Sequence, residues 1–217
     1  MLRLVPKPAG GRPLRVLCLG AHSDDIEIGC GGTLLTWLEM LPKVDVSWVV
    51  LSAAAERGRE ARRSARALLR GAAAVCITLG PFRDGFLPAQ YLEVKEFFEQ
   101  LKSGNDPDVV LTHRLEDRHQ DHRLAAELTW NTWRDHLVLE YEIPKYEGDL
   151  GQPNAYVHVP ATLARRKAAH LQRYFASQRS KAWFAGDTFL GLMRLRGLES
   201  RAASGYAEAF QARKLVL

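Results

Sequence analysis

The residues of this chain best able to do chemistry are concentrated in two short stretches. His22, Asp24 and Asp25 stand together with Glu27 close behind, and His113, Asp117, His119, Asp121 and His122 form a second group. Four of the seven histidines therefore lie in two segments, each beside carboxylates. Such a donor set suits a divalent metal. A catalytic zinc site takes three protein ligands, commonly two His and one carboxylate, and keeps a fourth position open for water. A turn brings residues i and i+3 to one side, so His22 and Asp25 can share an ion while Asp24 points toward the water. His122 then comes across from the second segment as third ligand. Each segment alone has a plainer reading. Asp24 and Asp25 can cap a helix whose N-terminus Glu27 favours. The glycine-rich residues 29–32 can form a tight turn or a phosphate cradle, although they match neither GxGxxG nor the Walker pattern. Residues 119–122 can open a solvated helix. What these readings leave unexplained is the coincidence of two His/Asp clusters at corresponding places in the chain. His136, His158 and His170 stand apart from the clusters and read as surface or core residues.

Clusters this far apart in sequence need a scaffold that brings them together. Residues 15–20 (RVLCLG) form a short unbroken apolar run, as expected of a strand buried on both faces of a parallel sheet. Further strands are expected at 44–52, 74–79 and 108–113, and strand-like runs at 137–143 and 155–160 flank a Gly/Pro-containing turn. Helices are expected at 33–41, closed by Pro42, and at 57–70, 91–102, 121–133 and 162–175, with a mixed tail beyond. Residues 1–13, with three prolines and two glycines, read as an irregular lead-in. Strands alternating with helices imply βαβ units. The expected fold is therefore a single α/β domain over 1–217, Rossmann-like and doubly wound, with a mostly parallel sheet and a modified C-terminal part. In such sheets ligands bind beyond the carboxyl ends of the strands, and both clusters follow directly after an expected strand.

Composition bounds the rest. The chain has 217 residues, 47% hydrophobic and 25% charged, which argues against disorder or a fibrous repeat. Cys18, Cys30 and Cys76 are an odd count, two of them in apolar runs, and read as reduced thiols. No run reaches the ~18 apolar residues of a membrane span, and no secretory signal pattern opens the chain; a cytoplasmic protein is expected. The net charge of +5 invites a nucleic-acid reading. Yet Arg57, Arg59, Arg62, Arg63, Arg66 and Arg70, and the second group Arg165, Arg166, Lys167 and Arg173, look like wet faces of amphipathic helices, so no nucleic-acid partner is expected.

The two clusters also carry a resemblance. AHSDD at 21–25 followed by GCGGTL resembles the AHPDD…GGTL signature of the PIG-L/LmbE-like zinc-dependent N-deacetylases, and HQDHR at 119–123 resembles that family's HxDH motif. Arg57 and Glu60 on one helix, the Asp84-Gly85 turn, Ser177-Gln178 and GYAEAF at 205–210 extend the likeness over nearly the whole chain. Ser23 replaces the usual proline, and Ile26 stands where many members have Glu, with Glu27 one residue later. The resemblance implies that His22, Asp25 and His122 bind Zn²⁺ and that Asp24 is the general base for the attacking water. It implies further that His119, as a cation, stabilises the oxyanion and helps protonate the leaving amine, with Asp121 orienting it or raising its pKa. Fe²⁺, Co²⁺ or Mn²⁺ can occupy the same donors. The implied substrate is an N-acetylated amino sugar or glycoconjugate of the N-acetylglucosamine type, and the basic excess would suit a phosphorylated or nucleotide-linked one. Arg57, Asp84, His113, Arg114, Asp117, Tyr141, Glu142 and Lys145 are the candidate substrate contacts. An amidase acting on a longer acyl chain or a non-sugar amide remains open, as does a homo-oligomer. A non-catalytic nucleotide-binding module of Rossmann type would have no need of HxDH.

Overall fold

The apolar run near the N-terminus is a strand covered on both sides. The computed structural model describes residues 4–6 and 8–216, and in it β1 (Leu14–Gly20) is an interior strand of a seven-stranded sheet, between β2 and β4. Val16 and Cys18 face one apolar layer while Leu17 and Leu19 face the other, because successive strand side chains point to opposite faces. With both faces buried there is no polar alternation, hence the continuous run.

β2 (Val44–Val50), β3 (Ala74–Leu79), β4 (Val109–Thr112) and β5 (Leu137–Tyr141) complete the parallel part. β6 (Ala155–His158) and β7 (Ala207–Ala212) are antiparallel additions, giving the order β3-β2-β1-β4-β5-β7-β6. One side of the sheet is covered by α1 (Asp25–Met40), α2 (Ala55–Leu68), α5 (Ala161–Tyr174) and α6 (Gly186–Glu199). The other is covered by α3 (Tyr91–Gly104) and α4 (Gln120–Thr132). The chain is thus a single doubly wound α/β domain, as expected, and no helix among the described residues is long and apolar enough to cross a membrane. Strand order reverses between β1 and β4, and there the first turns after both strands open side by side.

Three details differ from the sequence reading. The helix after β1 begins at Asp25 rather than Thr33, so the glycine-rich residues 29–32 lie inside α1 and form neither a turn nor a phosphate cradle. Their smallness serves packing. A Cβ on Gly29 would lie 2.1 Å from Cδ2 of Tyr141, and one on Gly32 would lie 2.9 Å from Oε1 of Glu208. The unassigned tail supplies α6 and β7, and β7 inserts between β5 and β6, which do not pair with each other. Buried ion pairs fasten it. Lys167 Nζ donates to Glu208 at 2.6 Å, Glu208 accepts from the Gly32 and Thr33 N–H groups, and Arg196 donates to Glu142 through two nitrogens. Within the lead-in, Ala9–Gly11 form a 3-10 turn, while residues 1–3 and 7 lie outside the described ones. All three cysteines are free as expected, although Cys76 lies exposed on the edge strand β3.

Gly29→Ala is expected to destabilise by about 1–3 kcal/mol, because Tyr141 is fully buried and its ring has little room to retreat. Thermal unfolding should fall by roughly 2–12 °C for a domain of this size. Gly31→Ala is the control: its Cβ would make ordinary contact at 3.7 Å with Lys167, so the melting temperature should hold or rise.

Candidate metal centre and active site

The first segment turns tightly out of β1 and the second leads into α4. The Asp25 carboxylate accepts the backbone N–H of His22 at 2.6 Å and so draws residues i and i+3 together. Asp24 stands at the helix cap position but makes no capping side-chain bond, which removes the plain reading of Asp24-Asp25 as an N-cap pair. His119 does cap α4, its Nδ1 accepting the Asp121 N–H at 3.2 Å.

Three donor atoms converge across the two segments. His22 Nδ1 lies 3.4 Å from Asp25 Oδ2 and 3.1 Å from His122 Nε2, and the last two are 3.5 Å apart. Ligands held about 2.1 Å from a tetrahedral ion stand roughly 3.4 Å from one another, so this triangle has the dimensions of a metal's coordination shell. Each histidine is held from behind by a carboxylate. His22 Nε2 lies 3.2 Å from Asp121 Oδ2 and 3.2 Å from Asp84 Oδ1, and His122 Nδ1 lies 3.0 Å from Asp117 Oδ2. Such partners fix the tautomer and ring orientation of a metal-binding imidazole. His113 packs beneath, its ring stacked on His122 at 3.9 Å and its Nε2 accepting the Ala21 N–H at 3.0 Å and lying 3.1 Å from Asp25 Oδ2. Two other trios have compatible spacing, His22/His119/His122 and Asp25/His113/His122, and a third joins His22 to Asp84 and Asp121.

The electrostatics separate the two adjacent aspartates. Burial opposes the ionised form of Asp25, but the surrounding histidines, His122 foremost, hold its carboxyl well below the usual range. Asp24 moves the other way: burial and then the charge of Asp25 push it up, against the pull of Arg57. One Asp24 oxygen accepts from Arg57 Nη2 at 3.1 Å, while the other is buried without a partner. Burial disfavours a charged His22, yet Asp25, Asp121 and Asp84 together hold its pKa well above the ordinary value. Asp84 is correspondingly drawn down to about 2, chiefly by its bond to His22. His119 is lowered by burial and by the neighbouring His22, which disfavours the cationic form expected from the sequence.

A cavity of about 180 Å³ opens above these groups, bordered by His22, Asp24, Asp25, His119 and His122. Of the candidate substrate contacts, Arg57, Asp84 and Lys145 line it; His113, Arg114, Asp117, Tyr141 and Glu142 do not. His113 and Tyr141 are fully buried, the latter donating to the Leu19 carbonyl at 2.6 Å. Asp117 holds His122 and Lys145, Arg114 donates to the Asp149 carbonyl, and Glu142 is spent on Arg196. Asp121 likewise departs from expectation: its carboxylate accepts from the Gly85 and Leu87 N–H groups and meets His22, not His119. Tyr146, Glu147, Gln178, Lys181 and Trp183 border the cavity without having been foreseen. They come from the β5–β6 connection and from the turn after α5, where only Ser177-Gln178 carried a sequence signal.

A family model described as PIG-L, GlcNAc-PI de-N-acetylase, matches residues 17–133, more than half of the chain and both segments of the site. The chain belongs to the PIG-L family. Solved structures agree with the fold of this PIG-L chain. The N,N'-diacetylchitobiose deacetylase of Pyrococcus horikoshii is 21% identical, with a TM-score of 0.67 over 91% of this chain and 83% of its own. A teicoplanin deacetylase in a zinc-inhibited form is 15% identical, with a TM-score of 0.70 over 91% and 97%. The 4-carboxy-2-hydroxymuconate hydratase of Pseudomonas putida is 18% identical, with a TM-score of 0.70 over 94% and 98%. That last likeness means the PIG-L scaffold by itself does not decide the reaction.

Proposed function

We propose that this PIG-L protein is a metal-dependent N-deacetylase that removes acetyl from an N-acetylated amino sugar or glycoconjugate. The observation carrying this reading is the triangle of His22 Nδ1, Asp25 Oδ2 and His122 Nε2 at a cavity that Asp24, with one unpartnered oxygen, also lines. His22, Asp25 and His122 would hold Zn²⁺ or another divalent ion, which when bound supplies a Lewis acid for water and carbonyl. The zinc-inhibited deacetylase among the neighbours is a reason to test Fe²⁺, Co²⁺ and Mn²⁺ beside Zn²⁺.

Asp24 would take the proton of the attacking water: it lines the cavity, one of its oxygens has no protein partner, and its basicity is raised by burial and by Asp25. Arg57 steadies the other oxygen and favours the ionised form of Asp24 against burial and Asp25. His119 has its Nδ1 occupied as an acceptor from Asp121 N–H, so its neutral tautomer carries the proton on Nε2. That N–H donates to the developing oxyanion. The leaving amine then recovers its proton from Asp24, because a neutral His119 is a poor acid. Asp117 and Asp121 position His122 and His22.

Metal analysis of the purified protein, coupled to acetate release over N-acetyl sugars and their conjugates, tests the proposal. Stoichiometric divalent metal with acetate release is expected. Release of a longer acid, or water addition to an unsaturated acid without amide cleavage, would overturn the deacetylase reading. Asp117→Asn and Asp121→Asn should each weaken metal binding by about 10–100-fold while leaving it measurable. Unchanged affinity in a competition titration with a chelator would remove their positioning role.

A further inference from the structure

The two arginine groups that the sequence separates by a hundred residues meet on one face. Arg59, Arg62, Arg63 and Arg66 follow the i, i+3, i+4, i+7 spacing of one helical stripe on α2, with Arg70 continuing it just beyond. Arg165, Arg166 and Arg173 lie on the exposed stripe of α5, with Arg179 just past its end. The two helices pack against each other on the same side of the sheet, so both stripes point away from it together. All nine side chains are exposed, and among the described residues none of them forms an ion pair. α5 contains no carboxylate; on α2 Glu56 is exposed, and Glu60 is spent on Ser177. These nine arginines and Glu56 amount to +8, more than the +5 of the whole chain, so the remainder is net acidic at −3.

A merely solvated helix face interleaves both signs, as α3 does with Glu93, Lys95, Glu96, Glu99 and Lys102. A face of one sign held without counter-charges instead attracts a polyanion. The other exposed residues of the two helices are Ala55, Glu56, Thr162 and Ala169, with no exposed amide or aromatic ring to read or stack a base. The face also borders the cavity mouth. Arg57 at the start of α2, and Lys181 and Trp183 beyond α5, line the cavity together with Tyr146, which is 73% exposed. Tyr and Trp at such a rim are side chains suited to the headgroup depth of a bilayer.

We infer that the α2/α5 face docks this protein on an anionic lipid surface, with the cavity mouth at the edge of the contact. Attachment is electrostatic and reversible, since neither helix presents a large exposed apolar side chain for insertion.

Co-sedimentation of the full chain with vesicles tests this. Phosphatidylcholine vesicles containing one-third phosphatidylserine should retain the protein at low salt and release it progressively as salt rises, and pure phosphatidylcholine should not retain it. With roughly fivefold in partition coefficient per surface arginine, the variant Arg62→Gln/Arg66→Gln/Arg165→Gln/Arg173→Gln should bind at least about 100-fold more weakly. A control of equal charge loss, Lys95→Gln/Lys102→Gln/Arg134→Gln/Lys214→Gln, should bind like the parent. Equal weakening in both variants would reduce the effect to net charge and overturn the inference. So would absence of binding to the anionic vesicles, or tighter arginine-dependent binding to duplex DNA. The arginine variant should hydrolyse a small soluble N-acetyl sugar at the parent rate, so failure of docking and failure of the deacetylase reading are separate results.

Discussion

Asp24→Asn should retain its bound metal and lose about three orders of magnitude in kcat, within the range expected when a general base is removed. That loss corresponds to about 4 kcal/mol of transition-state stabilisation. The change is isosteric. The amide oxygen can still accept from Arg57, which now bonds Asp24 Oδ1 at 3.1 Å, while an NH₂ replaces an acceptor and cannot take a proton from water. Thermal stability should barely move, because the replaced oxygen has no protein partner. Steady-state kinetics with metal analysis on the same preparation decides the matter. Turnover near that of the parent would end the general-base assignment, and loss of metal would move Asp24 into the ligand set.

The second large effect concerns the ligands. His122→Ala and Asp25→Ala should each purify with less than about a tenth of the parent's metal and show no measurable acetate release, since removing one of three protein donors leaves an incomplete site. Two comparisons make this specific to the proposed trio. His119→Gln should keep its metal, although His119 lies within ligand spacing of His22 and His122. His113→Gln should also keep it, although His113 has the same spacing to Asp25 and His122, because its Nε2 already accepts the Ala21 N–H. Stoichiometric metal in Asp25→Ala would instead favour the all-histidine trio. A circular-dichroism spectrum and melt should accompany Asp25→Ala, whose carboxylate also holds the His22 N–H at 2.6 Å.

These expectations rest on groups that differ in how visible they are along the chain. His22 and Asp25 are three residues apart, and one local turn suffices to bring them together. His122 could be added because both segments follow apolar strands, and strands of a parallel sheet deliver their carboxyl ends to one edge. The roles of Asp117 and Asp121 were less accessible. Each lies near His119 in sequence, yet the start of α4 sends Asp121 toward His22 and leaves Asp117 behind His122. Which neighbour a carboxylate meets depends on helix phase and on N–H donors such as those of Gly85 and Leu87, thirty-odd residues away. For His119 the local reading was likewise incomplete: proximity to Asp121 in sequence suggested a raised pKa, and Asp121 does pull it up, but burial and His22 pull it down.

The glycine-rich residues 29–32 show the same limit. Glycine is a poor helix former and read locally as a turn, but the close approach of the Tyr141 ring and the Glu208 carboxylate makes it suited to the middle of α1. The cavity rim was the least legible part. Tyr146, Lys181 and Trp183 sit on connections whose paths are set by β7 entering between β5 and β6, a pairing between distant segments without a local signature.

By itself, then, the sequence determined the alternating strand and helix pattern, the parallel core and the chemical type of the site. Those depend on side-chain polarity, hydrophobic period and the order of two motifs, all local properties. Only the tertiary structure decided which carboxylate holds which histidine, which candidate contacts reach the cavity, and that two separate arginine stripes share a face. Those outcomes depend on distances between residues far apart in the chain, and a distance exists only once the chain has packed.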